Sequence, residues 1–275
     1  MPEGHTLHHL TRQHHRRFAG QVVHTSSPQG RFTDGAAVLD GQTLVRAEAK
    51  GKHAFYHFSG GQILHVHLGL YGRFRTHVGE PPPPRGAVRL RLIGDTRAWD
   101  LIGPTQCALM SQDAYSAKLL ALGEDPLRDD ADPERVMAKL GKTRRAIGAV
   151  LMDQSVIAGI GNVYRAELCF LANVSPWTPS RDVAELHADL WSNAVTLLRV
   201  GAKHNSIRVI GEEGVLGPRG VETVDPEAWT RASRFGPRRD RLYVYKRSTC
   251  KVCGCAITTE TLAARKVYFC PECQR

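Results

Sequence analysis

Cysteine is almost missing from this 275-residue chain before residue 250, where only Cys107 and Cys169 occur, so no disulfide framework runs through it. Both lie in mostly apolar settings, as buried free thiols do. Long apolar runs are missing too. None reaches the roughly 18 residues of a membrane span, which excludes an apolar transmembrane helix. The first stretch is rich in His and Arg and lacks the apolar heart of a secretion leader, so the expected location is the cytoplasm. Acidic residues are the scarcer charge. Against 37 Lys and Arg there are 27 Asp and Glu, a formal +10 with a pI near 9.5, which suits a polyanionic partner such as nucleic acid. At 42% hydrophobic, the chain can still bury a sizeable core and is long enough for two domains.

Periodicity divides what is present. Leu7, Leu10 and Phe18 among polar residues predict an amphipathic helix over 4–18. From about 20 to 105, short alternating runs such as 43–49, 54–58, 63–67 and 87–93 predict a β-rich domain, a sandwich. Pro81 to Gly86 reads as an exposed loop between strands. After residue 110 the period becomes helical, with helices expected near 112–121, 133–141, 143–154, 161–172 and 183–203. Leu122 to Leu127 carries turn chemistry, and residues 205–240, rich in Gly, Pro and Arg, read as a long loop. The expected domains are 1–121, 122–240 and 241–275.

Five of the seven cysteines crowd into the last stretch, and four form Cys250-x2-Cys253 and Cys270-x2-Cys273, separated by 16 residues. That spacing predicts a tetrahedral four-cysteine zinc site on a hairpin, closed and therefore structural, with one zinc per chain. A ribbon used for protein contacts has the same pattern. Cys255 lies two residues after Cys253 and reads as a spectator.

At the other end stands Met1-Pro2-Glu3-Gly4. Removal of Met1 leaves Pro2 as a secondary amine whose pKa, about 8, makes it a nucleophile toward a sugar aldehyde carbon. Its iminium product is an electron sink, and Glu3 is placed to move protons. A disordered start accounts for the same residues. Ser155 to Tyr164 contains Gly159-Ile160-Gly161-Asn162 where a helix begins; amides there with the Asn162 side chain suit a phosphate, and a structural helical hairpin fits equally well. Gly51-Lys52-His53 puts Lys52 at a loop edge. His67-Leu68-Gly69-Leu70-Tyr71-Gly72 ends a strand in a turn with Leu70 and Tyr71 at its tip, either core residues or wedges for the gap left by an extruded nucleotide.

Together these five motifs, in this order, resemble the formamidopyrimidine-DNA glycosylase/endonuclease VIII family over the whole chain, and Leu70-Tyr71 looks like its endonuclease VIII branch, most of all the actinobacterial proteins. The resemblance implies an α+β protein: an N-terminal β-sandwich domain with an N-terminal helix, joined to a helix-two-turn-helix domain with a zinc finger, and damaged or abasic double-stranded DNA held in the cleft between them by a monomer. It implies a bifunctional glycosylase/AP lyase for oxidised pyrimidines. Pro2 then attacks C1′, Glu3 assists base loss and ring opening, Lys52 takes part in β-elimination, and Arg265 contacts phosphate and assists δ-elimination. His67 and Asn162 grip flanking phosphates. A catalytically silent relative that only recognises damaged DNA shares the architecture. Two positions depart from the pattern: Thr6 stands where many relatives carry glutamate, and Gly69 where some carry glutamine. Asp100 to Pro104 offers no counterpart of the wedge found in the purine-specific branch, which argues against 8-oxoguanine.

Overall fold

The computed structural model describes residues 2–209 and 241–275; most of the loop expected over 205–240 lies outside the described residues. The chain forms two compact units, 1–121 and 122–275. None of the described helices is long and apolar enough to cross a membrane.

The first unit opens with helix α1, Gly4–Phe18, which buries Leu7 and Phe18 as its amphipathic period requires. Eight strands follow: β1 Val22–Ser26, β2 Gln42–Lys50, β3 His53–Phe58, β4 Ile63–His67, β5 Arg73–Val78, β6 Val88–Ile93, β7 Arg97–Ile102 and β8 Gln106–Met110. Their order is β5-β7-β6-β1-β2-β3-β4-β8, antiparallel throughout. The join between the two four-stranded halves is the short β1–β2 pairing, Val22 opposite Thr43 and Val23 opposite Gln42. One core takes Leu90, Leu92, Trp99 and Leu101 from one half and Ala54, Tyr56, Leu64 and Val66 from the other, with Leu7 and Phe18 of α1. That shared interior makes the sheet a sandwich. A short helix, α2 Thr33–Leu39, interrupts a stretch read as strands; Gly35 lets the helix close on the Phe32 ring, which a Cβ would meet at 2.2 Å.

Helix α3, Gln112–Ala121, closes the unit by lying on the outer face of β3 and β4. Tyr115 packs edge-on against Phe55 with Ile63, Met110 and Leu119 around them, and Lys50 Nζ donates to the Leu119 carbonyl at 3.0 Å.

The second unit holds α4 Pro133–Lys142, α5 Ile147–Val150, α6 Asn162–Leu171 and α7 His187–His204, with a 3-10 helix over Ser180–Leu186. Asp132 caps α4 from its side chain, just before Pro133. The helix expected over 143–154 shrinks to the four residues of α5. The carbonyls of Thr143 and Arg145 accept from Arg181 and Ser180, and the amides of Ile147 and Gly148 donate to Thr178 and Pro176, so tertiary bonds replace the helical ladder. Strands β9 Thr258–Leu262 and β10 Arg265–Phe269 pair antiparallel as the hairpin expected between the two cysteine pairs.

Candidate active site and metal centre

In the first unit, Glu3 is the N-cap of α1 and fully buried, while Pro2 before it is half-buried. The Glu3 carbonyl accepts the Thr6 amide at 2.9 Å, but its carboxylate makes no cap bond to the helix. The local backbone therefore fixes Glu3 without consuming its side chain as a cap. Thr6 bonds through Oγ1 to His5 Nε2 at 3.1 Å.

Lys52 sits with Gly51 in a two-residue turn between β2 and β3, where Lys50 pairs with His53. Gly51 has φ +58, a left-handed first position suited to glycine, and the turn presents Lys52 half-buried at the sheet's end. His67, the last residue of β4, lies opposite His53. The amide of Gly69 donates to His67 Nδ1 at 3.2 Å, so in the neutral ring the proton is on Nε2. Lys52 and Lys118 lie close enough that, after burial, their charges lower the His67 pKa further.

Past His67 the chain turns tightly, with the Gly72 amide bonded to the Leu68 carbonyl at 2.9 Å. Gly69 has φ +66, and a Cβ there would fall 1.8 Å from Thr105 Oγ1. Glycine at 69 thus has a local cause, and glutamine does not fit this turn. Leu70 is 54% and Tyr71 84% exposed, so neither is a core residue. Asp100, by contrast, is buried and held by Arg91 at 2.7 Å and His77 at 2.9 Å.

In the second unit, Asn162 is the first residue of α6, after the N-cap Gly161. Gly159, at φ +103, and the side chain of Gln154 shape the preceding turn: Gln154 accepts the Gly159 amide and donates to the Ile160 carbonyl, both at 3.0 Å. Asn162 Nδ2 donates to the Lys266 carbonyl at 2.9 Å, and Arg165 Nη2 donates to the same carbonyl at 2.8 Å and to Asn162 Oδ1. The helix start is thereby tied to β10, whose first residue is the exposed Arg265. Asn162 and Arg265 are brought together through Lys266. Gln154 and Arg165 escaped sequence reasoning; for Arg165 the signal was a charge on a mostly apolar helix.

The four thiols of Cys250, Cys253, Cys270 and Cys273 lie within 4.8 Å of one another. Cys250 Sγ is 3.9 Å from Cys273 Sγ, and Cys253 Sγ is 3.4 Å from Cys270 Sγ. Tetrahedral zinc bonds of about 2.3 Å put sulfurs about 3.8 Å apart, so the donor set fits such an ion. The Val252 amide points at Cys250 Sγ at 3.4 Å, and hydrogen bonding from the Cys255 amide is the main cause that lowers Cys253 to about 6, nearer the thiolate a metal needs. Cys255 contributes its backbone: its carbonyl accepts the Cys250 amide at 2.8 Å. Gln274 locks the knuckle, accepting from the Cys270 amide and donating to the Val174 carbonyl.

A second set of residues went unnoticed in the sequence. Glu167, buried on α6, accepts the amides of Tyr243, Val244 and Tyr245 at 2.7, 3.1 and 2.9 Å, which anchors the chain leading into the four-cysteine hairpin.

Residues 1–102 match the family model of the formamidopyrimidine-DNA glycosylase N-terminal domain, and residues 122–210 that of the formamidopyrimidine-DNA glycosylase H2TH domain. The chain is 46% identical over 281 residues to endonuclease 8 1 of Mycobacterium tuberculosis, covering 100% of both. It is 32% identical to probable endonuclease 8 2 of Streptomyces coelicolor, covering 100% of this chain and 94% of that one. Among solved structures, a Lactococcus lactis formamidopyrimidine-DNA glycosylase bound non-covalently to DNA with an AP site superposes with a TM-score of 0.78 at 21% identity, over 99% of each chain.

Proposed function

Because the chain belongs to the formamidopyrimidine-DNA glycosylase/endonuclease VIII family of base-excision DNA glycosylases and AP lyases, we propose that it excises oxidised pyrimidines from double-stranded DNA and then cuts the abasic strand. The pyrimidine assignment is carried by one observation, the exposed Leu70–Tyr71 tip on a turn closed by Gly72. Apolar groups held in water on a rigid turn are suited to fill the stack when a damaged nucleotide swings out.

With Met1 removed, the Pro2 amine attacks C1′ of the everted nucleoside. The base leaves with the bonding electrons and takes a proton, and Glu3, buried beside Pro2, is the acid that opens the sugar ring. The resulting iminium acidifies C2′. Loss of that proton, with Lys52 taking part, expels the 3′ phosphate in β-elimination; Arg265 stabilises the second phosphate expelled in δ-elimination. Asn162 keeps one amide hydrogen for a flanking phosphate after its bond to Lys266, and His67 offers Nε2–H to another. The four thiolates hold one structural zinc that organises the Arg265 hairpin. We place the protein in the cytoplasm at the nucleoid, as a monomer.

Borohydride trapping tests this. Processed protein incubated with an abasic duplex should form a covalent adduct, and a version with residues added before Pro2 should not. No adduct with the processed protein leaves a silent damage-binding relative as the correct reading. A panel of single-lesion duplexes then tests the base: excision of 8-oxoguanine ahead of oxidised pyrimidines removes the role given to Leu70 and Tyr71.

A further inference from the structure

Behind Lys52 lies a group of rings that the reaction above does not use. Strand alternation puts His53, Phe55 and His57 of β3 on one face, next to Ile63, His65 and His67 of β4. At the Lys52 end of that face three imidazoles gather. His53 Nδ1 and His65 Nε2 are 2.8 Å apart and share a hydrogen bond; His53 packs against His67 with ring centroids 4.9 Å apart. His65 stacks on Phe55 at 13° and is 1% exposed, and its Nδ1 has no hydrogen-bond partner among the described residues. The chain of imidazoles is therefore closed behind His65 and leads only outward, to His53 and then toward His67 and Lys52.

The surroundings are cationic. Lys52 comes from the β2–β3 turn and Lys118 from α3. Lys50 of β2 is tied to the Leu119 carbonyl, and β8 brings only Gln106 and Ala108 opposite His67 and His65. The carboxylate of Glu48 on β2 is committed to Arg46, His57 and Tyr115; Asp113 on α3 is exposed. Burial first, then these neighbouring cations and rings, hold His53 at about 3 and His65 at about 4, so both are neutral near pH 7.

We propose that the His53–His65 pair is a proton-loading element for the phosphate site at Lys52 and His67: a DNA phosphate seated there is bound together with one proton, shared between the two rings. The inference rests on the proposed function, which brings phosphate to this edge. An anion against Lys52 and His67 offsets the neighbouring charges that add to burial in keeping the pair neutral, and an opposite charge within about 4–6 Å favours the charged form by about 1–3 pKa units. His67 is not the acceptor of that proton. Its Nδ1 is occupied by the Gly69 amide, and its Nε2 already carries hydrogen for the phosphate. His53 and His65 are thus positioning residues: they set the charge behind Lys52 without touching DNA.

Calorimetry of the zinc-loaded full chain, binding a duplex with a tetrahydrofuran abasic analogue in MES and in acetate buffer at pH 5.5, counts the protons. The wild type should take up about half a proton or more per duplex, and its affinity should fall as pH rises from 5 to 6.5, by up to about tenfold per unit for one linked proton. His53→Asn, at the half-exposed strand end, and His65→Phe, which keeps the stack on Phe55, should each at least halve the uptake and flatten the pH dependence. The Pro2 amine also titrates near neutrality, so the difference between wild type and variants is the decisive quantity. Uptake unchanged in a folded His53→Asn, or wild-type binding with no proton exchange, overturns this inference alone. Failure of the wild type to prefer the abasic duplex overturns the proposed function and this inference with it.

Discussion

The two units are stabilised by opposite means. The first is a sandwich whose interior and outer face hold neutral histidines: His14 bonds Tyr56 Oη at 2.8 Å and stacks on Trp99, and His53 and His65 bond each other. The second has a helical core but depends on polar clusters, the four-cysteine group that could hold a metal ion and the buried Glu167 side chain that accepts three backbone amides. Neutral buried bases are weakened by acid, whereas thiolate ligands are weakened by loss of metal. The difference teaches that two halves of one chain can answer different stresses, and each half can be challenged without the other.

Metal removal should give the largest contrast. Structural zinc contributes about 10–16 kcal/mol of apparent binding energy in finger peptides, so a strong chelator or Cys270→Ser should abolish protection of the 250–275 hairpin in hydrogen exchange. Strands β1 to β8 should keep their protection. Equal loss in both units would break the comparison at once.

Acid should act the other way. Burial lowers His14 to about 3, with smaller contributions from Arg17 and His9, against an ordinary value of 6.5. As pH falls below about 6.5 the unfolded chain takes up protons that the folded unit refuses, so stability is complete above that pH and drains away toward pH 4. Each unit of pH over which this holds costs on the order of 1 kcal/mol, so His14 alone removes roughly 2–3 kcal/mol by pH 4.5. His53 and His65 act in the same direction. Exchange measured from pH 7 to 4.5 should show the first unit loosening before the helices of the second; the reverse order would refute this assignment of weakness.

How much of this was readable in the sequence depends on whether a signal is local. Helix α1 and the cysteine knuckles carry theirs in adjacent residues, and both appear where expected. The truncation of α5 is not local: amides of Ile147 and Gly148 find carbonyls of Thr178 and Pro176, and Gly148 admits Pro176 so closely that a Cβ would meet its Cβ at 2.8 Å. The partnership of His53 with His65 arises only from the β3–β4 register. Leu70 taken alone favours core packing, and only the turn that holds it 54% exposed shows otherwise. Glu167 gave a hint, a carboxylate inside an apolar helix, but its partners lie more than 70 residues away in sequence.

Glu167 offers a smaller and more local test of the second unit's reliance on buried polar groups. Burial raises its pKa while three amide donors oppose that rise. In Glu167→Gln one oxygen survives for two of the amides, and an NH2 then faces the third. A lost bond to a buried donor costs about 1–3 kcal/mol, so thermal unfolding of the second unit should weaken by about 2 kcal/mol, with exchange of Tyr243 to Tyr245 accelerated and the first unit unmoved.

The smallest expected effect lies at the tip that carries Arg265. Ala263 and Ala264 form the turn between β9 and β10 with φ of 49° and 59°, a left-handed pair that asparagine and glycine adopt far more readily than alanine. Ala264→Gly relieves one of these strained positions but adds backbone freedom to the unfolded chain, so the net gain should be about 0.5–1 kcal/mol. If the strain serves only the fold, the hairpin should become more stable and δ-elimination should be unchanged. If it aims Arg265, the same substitution should stabilise the hairpin while reducing the δ-product, the pattern of strain held for function. Melting of the zinc-loaded protein and the ratio of β- to δ-products on an abasic duplex separate the two outcomes, and a destabilised hairpin would contradict both.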